Sequence, residues 1–480
     1  MLFNSIEFLV FFPTVAAAYF LLPHRFRWML LLAASYWFYM SWRIPYALLL
    51  VTTTLTAYVA ALRMPGAPTP AARRGWLLFS LVINLGLLFT FKYFNLFADT
   101  GEMVFRFAGA PLTLPHLDVL LPVGISFYTF QTLSYSIDVY RGERPPERHL
   151  GLFSLYVAFF PQLVAGPIER STTLLPQLHR SFAFDYWRVT DGLKLMAWGF
   201  FKKLVIADRL AVYVDNVYTD PSLHGGPTLA IATVFFAYQI YCDFSGYSDI
   251  AIGASRVLGY DLMQNFRQPY FARSIREFWR CWHISLSTWF RDYLYIPLGG
   301  NRASRARWYW NLFIVFVISG LWHGANWTFV AWGALHGLYL VCGLATEGLR
   351  ARFVAAVGLD RAPVLHRVLQ TAMTMALVLF AWIFFRANDI GDAYLVVTRL
   401  LTPMPAGGDL FAGVGAYEFW LSVAGIVVLE AVHAAQRTVR VRSFFDDRPA
   451  WVRWSFYYAG VMTVLLFAKL GAKQFIYFQF

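Results

Sequence analysis

The sequence predicts an all-α protein that crosses a membrane many times. Three observations predict it. The composition is 59% apolar and 19% aromatic, with only 14% charged residues, where a soluble chain carries roughly a quarter. A soluble fold of this size has too little polar surface to cover so much apolar side chain. Second, apolar runs close to the roughly 20 residues that span a bilayer recur along the chain. Third, Lys and Arg gather in clusters between those runs, as they do in cytoplasmic loops. The net charge of +13 is read the same way, and no nucleic-acid partner is expected.

The first run, 6–22, is long and apolar. Met1–Ser5 carries no basic residue and no cleavage site follows, so a membrane helix is expected rather than a cleavable signal. Further spans are expected at 29–41, 46–62, 76–98, 119–139, 150–165, 191–207 and 227–254. The run 312–346 is too long for one span and reads as two short helices. The last three are 368–386, 414–433 and 455–471. With no repeat or soluble linker, 1–480 reads as one membrane domain, a helical shell with a central funnel, its catalytic core in 149–345. The basic clusters at 63–74, 141–148, 267–307, 350–367 and 437–453 are placed in the cytoplasm. The loops 99–118 and 387–413 then fall outside. Strict alternation fails near 150–226, where one segment is expected to be re-entrant or half-buried. The stretch Phe271–Tyr293 reads as one amphipathic interfacial helix. Ile275, Phe278, Trp279, Trp282, Leu286, Trp289 and Phe290 fall on its apolar face. Arg273, Arg276, Arg280, Ser287 and Arg291 fall on the other, with His283 at the border.

Three motifs carry candidate chemistry. In Gly320-Leu321-Trp322-His323-Gly324-Ala325-Asn326-Trp327, an ionisable side chain stands between glycines inside an apolar region. Non-helical backbone at that depth persists only within protein or along a wet cavity, and ionisable groups there are functional candidates. The bland alternative is a structural histidine bonded to a carbonyl. His336, thirteen residues on, reads as a packing histidine. In Glu277–Ser287, His283 lies beside an arginine face suited to a phosphate or a hydroxyl. In Tyr241–Asp249, Asp243 and Asp249 interrupt an apolar segment. A charge at mid-bilayer costs roughly 2.5–3.5 kcal/mol, so each needs a partner, an arginine or backbone amides. Cys242, Cys281 and Cys342 fit neither a disulfide framework nor a zinc site. No Walker loop, dinucleotide fingerprint, metal-ligand cluster or Gly-x-Ser-x-Gly elbow is present.

These motifs together resemble the membrane-bound O-acyltransferase family, in particular its bacterial alginate O-acetylation branch. The likeness rests on Phe160–Ile168, Gln239–Ile252, Pro269–Phe271, Arg291–Tyr293, Tyr295–Arg302 and Trp322–Ala325, and runs over most of the chain. Cys281 stands where an arginine is expected. The resemblance implies a multi-pass acetyltransferase of the bacterial inner membrane. His323 and His283 would be catalytic, with Trp322, Asn326, Arg280 and Asp243 as candidate substrate-binding side chains. It implies no metal and no tightly bound cofactor, acetyl-CoA as donor, membrane lipids around the chain, and an exported polysaccharide with its acetylation proteins in the periplasm as partners. The closing residues Phe475–Phe480 resemble the Phe-x-Tyr-x-x-Phe tail of the small peptide of teichoic acid D-alanylation. Tyr477 is therefore either an acyl carrier or an aromatic anchor at the interface. The rival class is a transporter of donor or glycan; no inverted halves with matching broken helices speak for it.

Overall fold

The computed structural model describes every residue except 111, 165, 406, 440–447, 470–475 and 477–480. Among the described residues all regular structure is helical. Among the described residues six helices are long and apolar enough to cross a membrane: Ile44–Arg63, Pro70–Phe107, Gly226–Leu258, Trp327–Ala345, Pro363–Arg386 and Ala416–Gln436. Three of the other expected segments are interrupted or shortened for a local reason. The run 150–165 breaks at Phe159 into Leu150–Ala158 and Phe160–Leu163. There Pro161 lacks an N–H and its ring would clash with the carbonyl four residues back. In 119–139 the helix starts only at Ile125, behind a left-handed Gly124. The run 191–207 ends in a π-helical turn, Phe201–Ala207.

The chain divides into two compact units. One comprises Met1–Met196 with Tyr247–Met263; the other comprises Ala197–Gly246 with Gln264–Phe480. In the first, helices cohere through buried polar pairs as well as apolar contact. Ser80 and Ser136 hydroxyls lie 2.8 Å apart, and Thr132 donates to Asn84 at 2.9 Å. Such bonds hold helices together where apolar burial alone gains nothing over lipid. Arg256 pairs with Asp191 at 2.7 Å in the same unit.

The second unit carries His283, His323, Trp322, Asn326, Arg280 and Asp243. At its heart, Arg305–His323 and Trp327–Ala345 form a tight hairpin. A Cβ on Gly320 would collide with the carbonyl oxygen of Phe329, and one on Gly333 with that of Phe316. Only glycine lets these backbones approach so closely. The expected division of 312–346 into two helices is met, with the break at Gly324, whose backbone is extended, but neither helix is short: each runs 19 residues.

The stretch Phe271–Tyr293 departs from expectation. It is not one helix. It forms Ile275–Cys281 and Ile284–Phe290, followed by a π-helical turn at Arg291–Tyr295. Trp282 is extended and His283 left-handed between them (φ 42, ψ 56). The apolar residues named above are buried and the four arginines exposed. His283, however, is wholly buried rather than at a border.

Candidate active site

His283 owes its position to Asn265. The Asn265 side-chain oxygen accepts from the Ser285 hydroxyl at 2.7 Å and from the Ser285 N–H at 3.2 Å. Its carbonyl accepts from the Ile284 N–H at 3.0 Å. This clamp, itself buried, holds the backbone reversed at His283. His323 is the last residue of the Arg305–His323 helix and is 2% exposed. The two imidazole centroids lie 6.2 Å apart.

Aromatic rings wall both. Phe244 meets His283 edge-on at 4.6 Å. Trp322 stands 6.0 Å from His283 and 5.0 Å from His323. Trp332 and Phe385 meet His323 at 5.0 and 5.4 Å. Burial pushes the His283 imidazolium pKa down to about 3, so at neutral pH this ring is uncharged and offers one N–H and one lone pair. A neutral imidazole can polarise a carbonyl by donation, or take a proton as a base. The surrounding low dielectric strengthens either interaction.

His336 is differently used. The indole N–H of Trp279 donates to its Nδ1 at 3.2 Å, so the ring proton resides on Nε2. The ring stacks on Phe278 and abuts Trp332 at 5.0 Å. Trp279 also lines a cleft of about 750 Å³. Arg276, Arg280 and Arg291 stand along this cleft together with Leu286, Tyr295 and Ser319. It thus joins exposed guanidinium groups to an apolar wall.

The remaining candidates divide. Trp322 belongs to the histidine cluster, and Arg280 belongs to the cleft. Asn326 caps the Trp327–Ala345 helix: its oxygen accepts from Thr328 N–H at 3.0 Å and its amide donates to the Asn388 carbonyl at 2.9 Å. Asp243 is buried, with Lys203 Nζ at 2.7 Å from one oxygen and the Ile476 N–H at 2.8 Å from the other. Tyr477 lies outside the described residues. Sequence reasoning missed Asn265, Lys203 and Asp208. For the last two a signal exists: Lys202-Lys203 followed by Asp208 in an otherwise apolar run. For Asn265 none does, because its role arises from a fold-back contact.

A family model for the membrane-bound O-acyltransferase family matches residues 148–385. The chain is 44% identical over 399 residues to "Probable alginate O-acetylase AlgI" of Pseudomonas aeruginosa, covering 82% of this chain and 74% of that protein. The Azotobacter vinelandii protein of the same name is 42% identical over 416 residues, covering 85% and 79%. The "Peptidoglycan O-acetyltransferase" of Helicobacter pylori is 34% identical over 433 residues, covering 84% and 80%. An all-helical, multi-pass membrane protein with two buried histidines in an aromatic cage is the class the fold and the site define. The chain belongs to the membrane-bound O-acyltransferase family. It is an O-acyltransferase of the membrane.

Proposed function

We propose that the chain is an alginate O-acetylase of the bacterial inner membrane, taking acetyl from acetyl-CoA on the cytoplasmic side. The acceptor follows the two relatives named for alginate. Arg276, Arg280 and Arg291 bind the donor phosphates, for which guanidinium forks are well shaped. The apolar wall of the same cleft takes the pantetheine arm. His323 acts as general base. It removes the proton from an attacking hydroxyl whose oxygen bonds to the acetyl carbonyl carbon. The thioester C–S bond breaks, and the coenzyme leaves as thiol with that proton. His283, uncharged, donates its N–H to the carbonyl oxygen as negative charge grows there. Tyr477 is the first acyl acceptor and passes the acetyl to periplasmic acetylation proteins and the polymer. A phenol with a free pKa near 10 needs such a base to attack.

The observation that carries this reading is the convergence of His283 and His323 in one aromatic cage. The test is transfer of labelled acetyl from acetyl-CoA by the purified, membrane-reconstituted chain. His323→Ala should lose about 10²–10⁴-fold in rate while remaining folded, and Tyr477→Phe should deliver little acetyl to the polymer. Passage of label across the membrane with no ester formed would establish a transporter instead.

A further inference from the structure

The segment Phe201–Ala207 is apolar but for two adjacent lysines, and both are buried. A buried ammonium is costly unless it is paired and hydrogen-bonded. Lys203 Nζ lies 2.8 Å from Asp208 and 2.7 Å from Asp243. Lys202 Nζ donates to the Ser245 hydroxyl at 2.8 Å and lies 5.8 Å from the Tyr241 ring. Two lysines and two aspartates thus form a charge-balanced group on the π-helical turn, the helix Asp208–Thr219 that follows it and the Gly226–Leu258 helix.

Three described residues at or after the end of the Ala450–Phe467 helix, Phe467, Lys469 and Ile476, are bonded to this same region. Arg209 donates to the Phe467 carbonyl at 2.7 Å. The Lys469 N–H donates to the Leu204 carbonyl at 3.0 Å, within a π-helical turn, where the regular backbone ladder is interrupted. The Ile476 N–H then donates to Asp243 at 2.8 Å, and Ile476 is 2% exposed. A carboxylate fixed by an ion pair is a strong acceptor for a backbone N–H. Asp243 is followed by Phe244, whose ring packs on His283. The seat for Ile476 is therefore one residue along the helix from the wall of the histidine cage.

We propose that Asp243, paired with Lys203, which Asp208 also holds, is a positioning residue: its carboxylate grips the backbone at Ile476, the residue before Tyr477. The gripped group is a backbone N–H beside a buried aliphatic side chain. The seat fixes the backbone position of Ile476. It stands whether or not Tyr477 carries acetyl. If it does, this grip is what makes delivery reproducible.

Hydrogen-exchange mass spectrometry on the full chain in lipid nanodiscs tests it. The Ile476 amide should exchange about 10–100-fold more slowly than in an unstructured peptide, the range expected for one charge-assisted bond. Asp243→Ala should abolish that protection and, where Tyr477 carries the acetyl group, sharply reduce its delivery, while amides of the Gly226–Leu258 helix stay protected. Asp243→Asn keeps the volume but loses the ion pair, and decides the matter if the alanine variant does not fold; its protection should fall about tenfold. Tyr477→Phe should leave Ile476 fully protected, which separates failure of the grip from failure of the acyl-carrier reading. An unprotected Ile476 amide in the wild-type chain overturns the proposal, and so does undiminished protection in a folded Asp243 variant.

Discussion

His283 is held in a left-handed conformation that costs a residue other than glycine about 1 kcal/mol or more, and it is wholly buried. Asn265 sustains the geometry through three hydrogen bonds. That expense suits a side chain whose placement matters. It also gives a pH signature. Burial holds the His283 pKa near 3 in the folded state, against about 6.5 when unfolded. The unfolded chain therefore binds a proton below 6.5 that the folded chain refuses. The associated stability is complete above pH 6.5 and is lost as pH falls toward 3, by up to about 1.4 kcal/mol per unit. Glu169 acts oppositely. Burial raises its carboxyl to about 7 from 4.5, so its contribution is present below 4.5 and lost as pH rises through 7. Comparison with His283→Gln removes that background. The variant should show a shallower fall in apparent melting temperature between pH 6.5 and 5 than the wild type. Parallel curves would mean the ring titrates freely in the folded protein. The two histidines were legible in sequence because each is an ionisable group in an apolar or aromatic setting. Their clamp was not, since Asn265 is an ordinary loop residue until the chain folds back on it.

Helical breaks govern what each element presents. The apolar spacing of Phe271–Tyr293 reads as continuous because side chains on one face repeat every three to four residues. A two-residue reversal at Trp282–His283 leaves that count nearly unchanged, so periodicity alone cannot detect it. The glycine-flanked break at 324 was legible, because Gly320 and Gly324 mark a place where helix gives way. The hairpin that results depends on contact between backbones. Gly333→Ala puts a methyl group against the Phe316 carbonyl. Overpacking of this kind costs about 1–3 kcal/mol. Because Trp332, next in sequence, packs on His323, transfer should fall along with the melting temperature. Gly343 lies on the same helix, and the space where an alanine methyl would stand is open to 4 Å. Gly343→Ala should be neutral or stabilising by up to about 1 kcal/mol, from helix propensity alone. Equal behaviour of the two variants would show that the crossing is not closely packed.

At the scale of the whole chain, composition announced a membrane protein, and helices account for all regular structure among the described residues. The number of full spans was less legible. Apolar runs signal burial in lipid and burial in protein alike, and 78% of the most apolar window of Gly226–Leu258 is buried within protein. Orientation rests on charge. The stretch 267–307 carries eight arginines, and three of them line the cleft assigned to the donor. Basic residues in short loops hold those loops in the cytoplasm, the side proposed above for donor entry. Arg305 is exposed at the start of the Arg305–His323 helix, so a cysteine there reports on the side without disturbing the interior. Leu401, 97% exposed, lies in the 387–413 loop expected outside. In intact cells an impermeant maleimide should label Leu401→Cys and spare Arg305→Cys. Inside-out vesicles should reverse the pattern. Labelling of Arg305→Cys from outside would invert the orientation and place the arginine-lined cleft on the side away from the proposed donor.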